Sequence, residues 1–332
     1  MSAAEDASAP LLTAIVVAPD GWNPVRTTVR HLAAQSIADR IEVVFVVPRG
    51  GSFAVPSEEM AGFAGHRTVE VESRECAGAV GYAAGIRAAG APFVVFTEDH
   101  CYPEDGWARA LVDAYDERTA AVGPVVAHAN VSGSIAWADY LLGYGPWIDP
   151  TPGGDVAYLP GHNSSYRRAA LDPYEADLET WLVAESVLHW DLRKNGWRLI
   201  LEPRARTHHF SFSRPASWIR ATFLQSRAFA GERTQDAGLP KRLFWVAATP
   251  LIPVVRLRRC ARDTRRSAAG PPLVRALPAL AASLAVSALG EAIGYAFGAG
   301  DAPQRIARFE YRRDLHVTAR DRRAMEVARF WE

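Results

Sequence analysis

The sequence predicts an α/β domain with a mostly parallel central sheet and helices packed against it. Three observations carry this. Apolar, β-rich segments at 11–18 and 41–47 flank a stretch from Pro24 in which Val25, Val29, Leu32 and Ala33 recur at helical spacing. A small-residue helical stretch, 78–89, precedes a further apolar run, Phe93-Val94-Val95-Phe96-Thr97. That run passes without a break into Glu98-Asp99-His100, placing ionisable groups at the carboxyl end of a buried strand, where open α/β sheets put their ligands.

Taken in order, the first strand closes on the turn residues Pro19-Asp20-Gly21, and Pro24 suits a first helical position. The second strand closes on Pro48-Arg49-Gly50-Gly51. Strand, helix and strand at this spacing imply parallel pairing with a right-handed crossover. A short strand is expected at 68–71, a helix after Trp107 to about residue 118, and another strand at 121–126. The stretch 143–161, rich in Gly and Pro and holding Trp147 and Tyr158, reads as an ordered binding loop. A helix at 180–195 ends at Gly196, a closing strand spans 197–201, and His208 and His209 are expected in the loop beyond it. A last helix, 215–232, carries Arg220 and Arg227 on one face, and with Arg214 these offer cations to a phosphate.

Composition narrows the partners. Lys plus Arg and Asp plus Glu are 37 each among 332 residues, which leaves no general attraction to nucleic acid. Cys76, Cys101 and Cys260 lack paired spacing, so neither a disulfide scaffold nor a cysteine zinc site is expected, and a reducing compartment fits. Residues 1–10, Ala-rich and acidic, read as a disordered tail rather than a secretory signal. There is no Gly-x-Gly-x-x-Gly fingerprint and no P-loop, which disfavours a dehydrogenase or a P-loop kinase.

Alternation along the anchor strand puts Glu98 and His100 on one side and Asp99 on the other. A carboxylate and an imidazole on one rim suit a divalent cation that carries a phosphate-bearing substrate.

Several motifs in order make residues 11–235 resemble the family 2 glycosyltransferases, inverting enzymes with the GT-A fold. Ala14-Ile15-Val16-Val17-Ala18-Pro19 is similar to that family's opening strand, and the glycine-containing segment 78–85 to the one before its metal strand. Glu98-Asp99-His100, with Pro103 and Trp107 behind it, stands where the family has its DxD motif. Gly161-His162-Asn163 followed by Arg167-Arg168 is similar to its acceptor segment.

The resemblance implies transfer of a single sugar, with inversion, from a nucleotide-sugar donor to a hydroxyl of a lipid-linked or cell-envelope glycan acceptor. It implies Glu185, eleven residues before Gly196, as the catalytic base. Pro19, Asp20, Gly78, Gly81 and Asp99 are expected at the donor, and His162, Asn163 and Trp147 at the acceptor. Glu98, His100 and His208, with His209 as substitute, would hold a divalent metal, Mn²⁺ or Mg²⁺. Histidine in place of an aspartate softens the ligand set and favours a transition metal. The competing readings are a metal-dependent hydrolase and a non-catalytic nucleotide-binding module.

Composition changes beyond residue 240, so a GT-A domain is expected over 11–240 and a helical, membrane-associating region over 241–332. The apolar stretch 243–255, broken by Pro250 and Pro253, has Lys241 and Arg242 before it and Arg256, Arg258, Arg259, Arg262, Arg265 and Arg266 behind it. It is too short to span a bilayer and suits an anionic membrane surface. The stretch 276–300 is longer, but Ala, Gly and Glu291 make it a poor span. The expected location is cytoplasmic, peripherally bound to the membrane.

Overall fold

The computed structural model describes residues 9–72, 78–130, 133–183, 185–266 and 273–326. Cys76 and nearly all of the expected 1–10 tail lie outside the described residues. By packing, the chain forms two units, one drawn from 1–127 and 152–208 and the other from 128–151 and 209–327. The second is broader than the 241–332 region read from composition.

Unit one is the sheet unit. Its elements begin with β1 (Leu12–Val17), α1 (Trp22–Ala33), β2 (Ile41–Pro48), β3 (Gly65–Val71), α2 (Gly78–Ala88) and β4 (Phe93–Thr97). There follow β5 (Cys101–Pro103), α3 (Trp107–Asp113) and β6 (Thr119–His128). After a helix of unit two, α4 (Ser134–Tyr144), come β7 (Gly154–Asp155), β8 (Ser165–Arg167), α5 (Glu185–Lys194) and β9 (Arg198–His209).

The strands lie in the order β3-β2-β1-β4-β8-β6-β9-β5, with β7 also on β9. The sheet is parallel from β3 through β4, Val16 standing opposite both Phe45 and Thr97. It becomes mixed where β8 inserts antiparallel between β4 and β6. Every residue of β1 is buried, which is why it reads as a continuous apolar run rather than an alternating one. A Cβ at Gly85 would come within 2.3 Å of Ile15 Cγ2, so α2 lies on β1 only because that position is glycine.

Three local expectations change. Strand β4 ends at Thr97, so Glu98-Asp99-His100 forms a tight turn into β5 rather than the end of the strand. The single helix expected over 180–195 is a short turn, Leu178–Trp181, and then α5, which starts at Glu185. The closing strand runs on to His209, so both histidines lie on β9 and not in a loop. Glu202-Pro203-Arg204 hides this extension, because a proline between two charges reads as a break.

Unit two is helical. Besides α4 it holds α6 (Pro215–Arg233), α7 (Leu239–Ala248), α8 (Ile252–Arg266), α9 (Leu273–Phe297), α10 (Ala302–Glu310) and α11 (Ala319–Met325). Helices α4, α6, α7 and α8 all pack on α9. Gly290 and Gly294 let α9 approach α6 closely, since Cβ atoms there would come within 2.6 Å of Phe223 O and 2.5 Å of Arg227 O. Ser226 and Ser287 meet at 2.8 Å in the same seam. Helix α9 is long and apolar enough to cross a membrane, yet its buried Glu291 pairs with Arg256 of α8, as in the core helix of a bundle.

Candidate functional site

The site is built around the β4–β5 turn. The Thr28 hydroxyl of α1 donates to Glu98 O at 2.7 Å, and the Tyr102 hydroxyl donates to Asp99 O at 3.0 Å. The Tyr102 ring is itself stacked on His31. From the far side, Asn163 N–H donates to Phe96 O at 2.7 Å and its Nδ2 to Cys101 O at 3.3 Å. Asn163 has φ 53°, a left-handed conformation that asparagine adopts more readily than most residues. It is fully buried and its amide holds the turn, so its visible work is positioning.

Within this frame Glu98 Oε2 lies 3.3 Å from His100 Nε2 and 3.6 Å from His162 Nδ1. His100 is fully buried, and its Nδ1 meets Asp99 Oδ1 at 2.7 Å, which aims Nε2 at Glu98. One carboxylate oxygen flanked by two imidazole nitrogens is a donor set of the right chemistry for a divalent transition ion. His162, expected at the acceptor, therefore stands with the proposed metal ligands. His208 does not join them; its Nε2 lies 2.6 Å from Glu104 Oε1. Neighbours on a strand face opposite ways, and within unit two the Nε2 of buried His209 lies 2.9 Å from the Tyr144 hydroxyl.

Glu185, half-buried at the start of α5, presses its carboxylate against Gly161. A Cβ at Gly161 would lie 2.7 Å from Glu185 Cδ and 2.8 Å from Oε1. The next residue is His162, so the proposed base and the Glu98 cluster meet on one short segment. Below them runs a buried polar chain. Leu159 N–H donates to His189 Nδ1 at 3.4 Å, which leaves the hydrogen on Nε2, 2.9 Å from the Tyr166 hydroxyl. Burial pushes His189 down to about 3, keeping it neutral. Burial, with the Glu185 charge nearby, raises Tyr166 well above its usual value. Sequence reasoning missed both residues, although His189 lies one helical turn from Glu185 and so on its face.

Of the residues expected at the donor, Pro19 and the exposed Asp20 follow β1, whose end lies beside that of β4. Gly78 and the buried Gly81 form the first turn of α2, whose peptide dipoles favour an anion there. Trp147, nearly buried, belongs to unit two, within reach of the Tyr144 ring.

Residues 13–174 match the sequence model of glycosyl transferase family 2. That segment is a family 2 glycosyltransferase domain. It contains Glu98, His100, His162 and Asn163, whereas Glu185 and His208 lie beyond it. Among solved structures, the mannosyltransferase PcManGT from Pyrobaculum calidifontis, in complex with GDP-Man and Mn²⁺, is similar at 17% identity and TM-score 0.50. The match covers 85% of this chain and 87% of that one, and it shows the GT-A fold. TarS residues 1–349 from S. aureus align at 13% identity over 87% of this chain and 92% of that one, with TM-score 0.43. No curated protein sequence matches the chain.

Proposed function

We propose that this glycosyltransferase moves a single sugar, with inversion, from a nucleoside-diphosphate donor to a hydroxyl of a lipid-linked or cell-envelope glycan. The observation that carries the reading is the juxtaposition on Gly161-His162, where the Glu185 carboxylate packs on one residue and Glu98 contacts the next. Glu185 takes the proton of the acceptor hydroxyl, the freed oxygen bonds to the anomeric carbon, and the bond from that carbon to the diphosphate oxygen breaks. A positioned base contributes typically about 10²–10⁴-fold to such a step.

Glu98, with His100 or His162 beside it, would hold a divalent cation, which when bound would supply positive charge against that growing on the diphosphate. The softness of an imidazole beside a carboxylate favours Mn²⁺ over Mg²⁺. Asp99 orients His100, the amino end of α2 at Gly78 and Gly81 faces the phosphates, and Pro19-Asp20 lies toward the nucleoside.

The test is single-turnover transfer measured beside donor affinity, the donor being found by a thermal-shift screen of nucleotide sugars with Mn²⁺ and Mg²⁺. Glu185→Gln keeps size and hydrogen bonding but removes basicity, so the chemical step should fall about 10²-fold or more while donor affinity holds. Unchanged transfer would sink the assignment.

A further inference from the structure

The outward face of α7 and α8 is unlike the rest of the surface. In α7, Leu239, Leu243 and Phe244 are 68%, 57% and 64% exposed. Across the short connection, Leu251, Val254 and Val255 are 64%, 49% and 53% exposed. The same stripe then changes character along α8, because Arg258, Arg259, Arg262 and Arg265 are all exposed and follow Leu251, Val254 and Val255 at intervals of three and four residues.

The opposite face of α8 is fully engaged. Arg256 donates to Ser287 Oγ at 2.6 Å and pairs with Glu291, and Cys260 and Asp263 are buried. The helix is therefore docked by one face and presents the other to its surroundings. From Leu239 through Arg262 there are six basic residues and no acidic one.

We propose that this face binds an anionic lipid bilayer, with Leu243, Phe244, Leu251, Val254 and Val255 seated among the acyl chains and Arg258, Arg259 and Arg265 on the headgroup phosphates. Charge decides the occupant. A protein partner of ordinary composition would be met by the apolar half alone, whereas a surface that is apolar below and anionic above complements both halves in their order along the stripe. The attachment is peripheral. Helix α9, the only described helix long and apolar enough to span, uses its polar Ser287 and Glu291 to hold α8. The inference does not depend on the transfer chemistry, so it stands or falls apart from it.

The experiment is flotation of the full chain with vesicles of phosphatidylcholine alone or mixed with phosphatidylglycerol, at low and high salt. The wild type should float with the anionic vesicles at low salt, and high salt should reduce but not abolish this, since salt screens the arginines and not the apolar contacts. Arg258→Gln with Arg259→Gln should lower the partition about 30-fold, from roughly fivefold per basic residue. Leu251→Ser with Val254→Ser and Val255→Ser should abolish it; these side chains are exposed, and an unchanged melting temperature verifies the fold.

A wild type that stays in solution with anionic vesicles, or binds neutral ones equally well, overturns the proposal. So does native-membrane protein that resists alkaline carbonate, which would assign α9 as a span. Self-association in sedimentation velocity, lost in the triple serine variant, would assign the face to a second copy instead.

Discussion

Two clusters of charged and ionisable groups, one in each unit, are built in opposite ways. In unit two, opposite signs meet. Arg256 pairs with Glu291, buried Arg313 reaches Glu310 at 3.3 Å and lies over the Phe212 ring, and buried Asp321 accepts from Ser213 and Thr318. In unit one, Glu98 faces two imidazoles, groups that prefer a metal or a proton to each other's company. A buried ion pair satisfied by its neighbours speaks of architecture. Ligand-type side chains gathered on one carboxylate speak of chemistry.

The largest expected effect tests the architectural half. Arg313→Met leaves the part-buried Glu310 without its cation and should cost about 3 kcal/mol in urea unfolding, the low end of the range for breaking a buried pair. Glu98→Gln should change stability by less than about 1 kcal/mol, because the histidines it leaves can stay neutral. Similar losses in the two variants would erase the distinction between the units.

A smaller effect probes the chemical half. Gly161→Ala drives a methyl group into the Glu185 carboxylate, so the single-turnover rate should drop by about 10²-fold, the scale of a misplacement of about 1 Å. Donor affinity should hardly move. Equal loss of donor binding would mean that the substitution disturbs the cation cluster through His162 rather than the base.

The smallest effect is a pH dependence. His189 titrates near 3 in the folded chain because of burial, against about 6.5 when unfolded, so the folded state holds fewer protons between those values. Its stabilising contribution is complete above about 6.5 and is lost as pH falls toward 3, reaching about 2 kcal/mol at about pH 5. Asp139 of unit two works the other way. Burial raises its carboxyl to about 6, so acidification from about 6 to 4 favours the fold. Stability measured across this range should therefore fall less steeply with acid in His189→Gln than in the wild type. An unchanged slope would show that His189 does not set the acid limit of unit one.

By itself the sequence determined the α/β class, the parallel pairing of the first strands and the family of residues 13–174. Fully buried strands need continuous apolar runs, and phosphate-binding ends need glycines and polar turns, both of which are local properties. It also determined that Glu98 and His100 lie together. Their shared rim was the right neighbourhood for the wrong reason, since a turn held by Thr28, Tyr102 and Asn163 brings them together and not strand alternation.

Only the tertiary structure decided the rest. His162 joins Glu98 while His208 turns to Glu104, because the face a strand residue presents depends on how far the strand continues, and Glu202-Pro203-Arg204 concealed that. The buried line from Leu159 through His189 to Tyr166 was invisible for a similar reason. A histidine among apolar residues announces burial, but its hydrogen-bond partners lie 23 and 30 residues away along the chain, and only folding brings them within 3.4 Å.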